Sequence, residues 1–191
     1  MKRISLAEIA HDTIGQTLQS GDIVVDATVG NGHDTVFLAE NVGRGGKVFG
    51  FDVQPQAIQV TRQRIRQLGL DARVTLFHAS HADMAQHIPQ QFHGCIQAIM
   101  FNLGYLPGAD KSVITQTQST LQAVGAACRL LGAQGVITVT AYPGHAGGDE
   151  ETHYLTHWLQ QLDSADYSVE TVFSQHHQAH APRLFVIKKI N

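Results

Sequence analysis

Cysteine, charge and long apolar runs are all scarce in this chain. Only two cysteines occur among 191 residues, Cys95 and Cys128, each in an apolar stretch of a different expected element. A disulfide framework is thereby excluded, and both are expected as reduced, buried thiols. Charged residues make up 15% of the chain, against a usual share of roughly a quarter. The formal net charge is −3, so no broad basic surface marks a nucleic-acid binder, although twelve histidines can add local positive charge at mildly acid pH. No apolar run approaches the roughly 20 residues that span a bilayer. Glu8, His11 and Asp12 break the N-terminus before a signal-like apolar core forms, so a cytoplasmic protein with no membrane partner is expected.

What is present is an apolar content of 43% over a length that suits one domain, residues 1–191, with a full core. Ser5-Leu6-Ala7-Glu8 reads as a capping box opening a helix with an apolar face at Leu6, Ile9, Ala10, Ile14 and Leu18, ending near Gly21. Strands are expected at Ile23 to Ala27, Lys47 to Asp52, Arg73 to His78, Ile96 to Phe101 and Gly135 to Ala141. Helices fall between them at His33 to Val42, Pro55 to about Gly69, Ala82 to Ile88 and Thr117 to Leu131, with another at Asp149 to Leu162. Two β-rich runs, 167–174 and 184–190, are separated only by "SQHHQAHAPR", too short for a crossover helix, so the last pair should be antiparallel. This alternation predicts an α/β, Rossmann-like fold: a mainly parallel sheet of seven strands, its last strand antiparallel, with helices on both faces.

In such sheets ligands bind beyond the carboxyl ends of the strands. "DATVGNGHDTVFLAE" follows the first strand there, and Gly30 and Gly32 allow a sharp turn and a close backbone approach. A dinucleotide fingerprint would carry a third glycine where this chain has Thr35. Asp52, ending the second strand, can accept both hydroxyl hydrogens of a ribose, a role open to NAD and S-adenosylmethionine alike. Asp26 repels pyrophosphate but suits the cationic amino-acid end of S-adenosylmethionine, which is therefore favoured. Ser80 and His81 in "FHASHAD" stand where an adenine edge would lie, although Ser80 equally suits a helix cap.

Past the fourth strand, "FNLGYLPGADKS" looks like the N/D-P-P-Y/F motif of amino-directed methyltransferases, with Leu-Gly replacing the two prolines. Methyl transfer to nitrogen needs a neutral amine with a directed lone pair, and the Asn102 amide oxygen can accept an amine hydrogen to fix it. Tyr105 offers a stacking face, and Gly104, Lys111 and Arg183 are candidates for seating a nucleotide and its phosphates. "YPGHAGGDEE" follows the fifth strand. Its His145 can take the ammonium proton, Tyr142 can orient the base or the amine, and Glu150 and Glu151 fit a helix macrodipole. His153 with His157, and His176, His177 and His180, lack further ligands in a metal-site spacing, so no metal is expected.

Together "DATVGNGHDTVFLAE", "GFDVQPQAI", "FNLGYLPGADKS" and "YPGHAGGDEE" resemble the compact rRNA methylase family of class I methyltransferases, over almost the whole chain. That family is similar to, or includes, bacterial methyltransferases of 5-aminomethyl-2-thiouridine at tRNA wobble position 34. The resemblance implies S-adenosylmethionine as cofactor and transfer of its methyl group to the aminomethyl nitrogen. It places Asp26, Thr28, Gly30, Asn31, Gly32 and His33 of the turn, Asp52 and Asn102 at the site; Asp34, Gln54, Ser80 and His81 are further expected cofactor contacts, and Asn102, Tyr142 and His145 the expected catalytic set. Ala79 stands where the family tends to have an acid, so the Ser80–His81 contact departs from the pattern. The implied partner is the tRNA anticodon stem-loop, and a small domain without an RNA-binding appendage would grip it as a homodimer. The competing classes are an rRNA or small-molecule methyltransferase, an NAD-dependent oxidoreductase and a non-catalytic binder.

Overall fold

The computed structural model describes residues 5–104, 115–144, 147–174 and 181–191. Its strands are β1 (Ile23–Asp26), β2 (Lys47–Asp52), β3 (Val74–His78), β4 (Ile96–Asn102), β5 (Leu131–Ala141), β6 (Tyr167–Phe173) and β7 (Arg183–Lys189). They form one sheet in the order β3-β2-β1-β4-β5-β7-β6. β1 to β5 pair in parallel, while β7 runs antiparallel to both β5 and β6. The expected class and the antiparallel ending are both borne out.

Successive strand residues point to opposite faces, and each face has its own helices. Val25, Phe51, Ile99, Phe101 and Val139 pack with Met84 of α4 (Met84–His87), Ala123 and Ala127 of α5 (Thr117–Leu130) and Leu155 of α6 (Gly148–Leu159). Val24, Val48, Ala98 and Met100 pack on the other face with Ile14 of α1 (Leu6–Gly15), Leu38 of α2 (His33–Asn41) and Ile65 of α3 (Pro55–Gln67). β1 is central: the chain proceeds from it to β2 and β3 on one side and reaches β4 and β5 on the other. This reversal opens a crevice between the carboxyl ends of β1 and β4, where open α/β sheets bind ligands.

The capping box forms: Glu8 N–H donates to Ser5 Oγ at 3.1 Å and Ser5 N–H to Glu8 Oε2 at 2.7 Å. α1 nevertheless stops at Gly15, where Gln16 caps it, rather than near Gly21. The expected helix 82–88 divides into a 3-10 turn, His81–Asp83, and the four-residue α4. β5 starts four residues before Gly135 because α5 runs directly into it. Ile96 pairs with Leu131 and Ala98 with Val136, so β5 carries extra residues, and Gln134 absorbs them at φ +58°. The thiols also differ from expectation: Cys128 is buried on α5, but Cys95, in the turn before β4, is exposed.

Candidate cofactor site and catalytic edge

The turn between β1 and α2 is built around Asp26, which is fully buried. Its Oδ1 accepts Thr28 N–H at 3.1 Å and its Oδ2 accepts the Thr35 hydroxyl at 2.5 Å. Burial, reinforced by the charge of Asp34, pushes the carboxyl up to about 7, against the pull of the Thr35 and Thr28 hydrogen bonds. Asp26 therefore presents no surface of its own and holds the turn from behind. Thr35 explains the missing third glycine: it too is fully buried, and its hydroxyl is committed to Asp26.

The two glycines have separate reasons. Gly30, at φ +50°, donates its N–H to Asp52 Oδ2 at 2.9 Å and accepts the Thr61 hydroxyl on its carbonyl at 3.0 Å. Gly32 caps α2 at φ +77°, and a Cβ there would stand 2.6 Å from Thr61 Oγ1. A larger residue would push α3 away from the turn.

Asp52 is half-buried, and its Oδ1 accepts Gln54 N–H at 2.8 Å. Burial raises its pKa, opposed by the hydrogen bonds from Gln54 and Gly30. Each carboxylate oxygen offers two lone-pair positions, so acceptor capacity remains for ribose hydroxyls. Gln54 and Asn31 are half-buried on the same rim, while His33 is exposed and takes a hydrogen bond from Arg64 Nη1 on Nδ1 at 2.9 Å. Ser80 accepts Ala82 N–H at 3.2 Å as a cap, and His81 Nδ1 donates to Ala27 O at 3.2 Å with its ring edge-on to Phe101. His81 is 8% exposed and burial lowers its pKa, so it ties the exit of β3 to that of β1 as a neutral ring.

Asp34 shows what sequence reading missed. Its Oδ1 pairs with His11 Nε2 at 2.7 Å, and the His11 ring stacks on Phe37 with centroids 3.9 Å apart. α1 thus reaches across to the cofactor turn, although His11 had been read only as interrupting an apolar segment. Asp34 also acts on Tyr142, whose half-buried phenol has its pKa raised by burial and then by that carboxylate. Tyr142 is consequently a hydrogen-bond donor at neutral pH rather than a base.

Asn102 ends β4 with its side chain exposed, and its N–H donates to Thr28 Oγ1 at 2.7 Å. The cofactor turn and the amine-type motif are therefore joined by one hydrogen bond. Leu103 N–H donates to Thr140 O at 2.9 Å, and Gly104, at φ +119°, donates to Thr115 Oγ1 at 2.9 Å. Tyr105, Lys111, His145, His176, His177 and His180 lie outside the described residues. Arg183 pairs with Ala141 at the same edge, its guanidinium 5.5 Å from the Phe173 ring centre. It lines a groove of about 360 Å³ with Pro143 and the α6 residues Asp149, His153 and His157, beside the catalytic edge rather than over Gly30 and Gly32. Among the described residues, no three His, Cys, Asp or Glu side chains converge as metal ligands.

Asp34 and Asp52 flank the turn with Asp26 buried behind it, an acidic setting hostile to pyrophosphate and favourable to a cation. Residues 48–188 match the model of the family described as "Putative rRNA methylase". The chain belongs to the rRNA methylase family. A chloroplastic tRNA (mnm(5)s(2)U34)-methyltransferase of Arabidopsis thaliana is 38% identical over 173 residues, 86% of this chain and 62% of the plant protein. This chain therefore spans less than two thirds of that relative. The structure of a "putative rRNA-methylase" from Clostridium thermocellum superposes with a TM-score of 0.93 at 39% identity, covering 100% of both chains. A "putative methyltransferase" from Streptococcus mutans, solved in complex with SAH, superposes with a TM-score of 0.85 at 34% identity over 99% of each chain.

Proposed function

We propose that this protein, acting in the cytoplasm, methylates the aminomethyl nitrogen of 5-aminomethyl-2-thiouridine at tRNA wobble position 34. The product is 5-methylaminomethyl-2-thiouridine. The cofactor is S-adenosylmethionine, which supplies an electrophilic methyl group on a sulfonium sulfur. Its fit rests on the acceptor capacity left on Asp52, the close-approach backbone at Gly30 and Gly32, and the acidic setting of the turn. The relatives that carry a tRNA wobble activity or a bound SAH in their names support the same assignment.

The observation that carries the reading is the placement of Asn102. Its exposed amide stands at the switch point, with its own N–H tied to the cofactor turn through Thr28. Asn102 Oδ1 accepts one amine hydrogen and so fixes the direction of the nitrogen lone pair. An alkylammonium with a Lys-like pKa costs up to about 4.6 kcal/mol to deprotonate at pH 7, so an acceptor is needed. His145 is assigned that proton, and the Tyr142 hydroxyl donates a hydrogen bond that orients the reacting groups. Tyr105 and Lys111 seat the nucleotide, with Arg183 as a phosphate contact at the same edge. The RNA is held at its anticodon stem-loop, with a homodimer as the gripping unit. Among the described residues, no helix is long and apolar enough to cross a membrane.

The test compares tRNA carrying 5-aminomethyl-2-thiouridine, tRNA with unmodified uridine 34, and rRNA, each incubated with the protein and S-adenosylmethionine. Methylation of the first alone is expected, and the Asn102→Ala enzyme should lose about 10²-fold in kcat while keeping cofactor affinity. Equal methylation of the first two, or preference for rRNA, would overturn the substrate assignment.

A further inference from the structure

Glu151 is a buried carboxylate with no part in the chemistry above. It lies in the first turn of α6, where a solvated glutamate facing the macrodipole would be ordinary, yet it is only 2% exposed. Its Oε2 accepts the Thr115 hydroxyl at 2.9 Å, and its Oε1 accepts the Thr120 hydroxyl at 2.6 Å. Desolvating an acidic side chain is costly unless its oxygens are satisfied, so this pair of hydroxyls is a condition of its placement.

Thr115 passes the interaction on. Its single hydroxyl hydrogen goes to Glu151, which leaves its oxygen lone pairs to accept Gly104 N–H at 2.9 Å. Thr115 N–H in turn donates to Gly104 O at 3.0 Å, so Gly104 is held on both its amide and its carbonyl. Asn102, Leu103 and Gly104 thus have three successive N–H groups tied to three different places: Thr28 in the cofactor turn, Thr140 on β5, and Thr115 backed by Glu151.

We propose that Glu151 is a positioning residue for the Asn102–Gly104 turn. By accepting the Thr115 hydrogen it sets the direction of that hydroxyl, which fixes Gly104 and with it the point from which Asn102 presents its amide. The proposal rests on the amine-methylating reading, in which Asn102 directs the substrate nitrogen. It assigns Glu151 to the substrate side of the site, because the bonds around Asp26 and Asp52 are made without it.

The test uses Thr115→Val, Thr115→Ser and Glu151→Gln. Valine keeps the shape of threonine and removes the relay; serine keeps the relay. Glutamine has one acceptor oxygen for two hydroxyls, so it should fall between them. Thr115→Val should lower kcat on the aminomethyl tRNA by about ten- to a hundredfold, the scale of a misplaced reacting group. S-adenosylhomocysteine affinity by calorimetry should stay within about twofold, and Thr115→Ser should recover most of the rate. Gly104 amide exchange and the Asn102 side-chain amide resonances, read by NMR without substrate, should change in Thr115→Val and not in Thr115→Ser. Unchanged kcat in Thr115→Val, equal losses of rate and cofactor affinity, or a serine variant as defective as valine would overturn the proposal. If wild type methylates no aminomethyl tRNA, the substrate reading fails instead, and the NMR comparison still decides whether the relay holds Gly104 and Asn102.

Discussion

Replacing Asp26 by Asn should remove a pH dependence of stability built into the cofactor turn. The Asp26 carboxyl is raised from 3.8 to about 7 in the folded protein, chiefly by burial and next by Asp34. Between those two values the folded state keeps a proton that the unfolded chain has released. The stability contributed by this proton is complete below about pH 4 and is lost as pH rises toward 7. Two units of that range lie between pH 5 and pH 7, and each is worth about 1.4 kcal/mol, so about 2–3 kcal/mol disappears there. Asparagine retains an oxygen for Thr28 N–H and turns its amide toward the Thr35 hydroxyl without titrating. The stability difference between variant and wild type should therefore shift by about 2–3 kcal/mol in favour of the variant from pH 5 to pH 8, roughly 4–12 °C in Tm. Asp52, raised by burial, acts with the same sign, whereas His81, lowered by burial, loses stability as pH falls. Both are present in each protein, so the difference reads Asp26 together with its coupling to Asp34 and Asp52. Thermal and urea unfolding across pH 5 to 8 reads it, and parallel curves for the two proteins would refute the reasoning.

Gly32→Ala places a residue in the left-handed region at about 1–2 kcal/mol and drives Thr61 from the Gly30 carbonyl at about 1 kcal/mol more. A loss of about 2–3 kcal/mol is expected by denaturant titration, partly recovered by adding Thr61→Ala; an unaffected single variant would mean that α3 yields freely. Asp52→Ala removes the diol acceptor and the brace on Gly30 N–H, so S-adenosylhomocysteine should bind about 2–4 kcal/mol more weakly by calorimetry, roughly 30- to 800-fold. Unchanged affinity in the folded variant would remove Asp52 from the ribose.

Much of this protein was legible in its sequence because the relevant signals are local. The apolar runs in "IVVD" and "KVFGFD", the capping box at Ser5 and the glycines before α2 depend on near neighbours, and each lies where it was expected. The start of β5 was misplaced because Gly135 reads as a boundary while the pairing of Leu131 with Ile96 depends on another strand. For Glu151 a signal did exist: it lies on the helical stripe of Leu155 and Leu159, both buried, so its burial followed from periodicity. His11 offered no such signal, since its partner Asp34 is 23 residues away on another helix.

The sequence by itself determined the alternating α/β order, the antiparallel ending, and the set of carboxylates and amides at the strand ends. Only the tertiary structure decided what those groups do. Packing buried Asp26 completely and made it the support of its own loop, while leaving Asp52 half-exposed with acceptor capacity to spare. Two aspartates in equivalent strand-end positions thus differ in role through desolvation and distant hydrogen-bond partners, neither of which exists until the sheet has brought remote segments together.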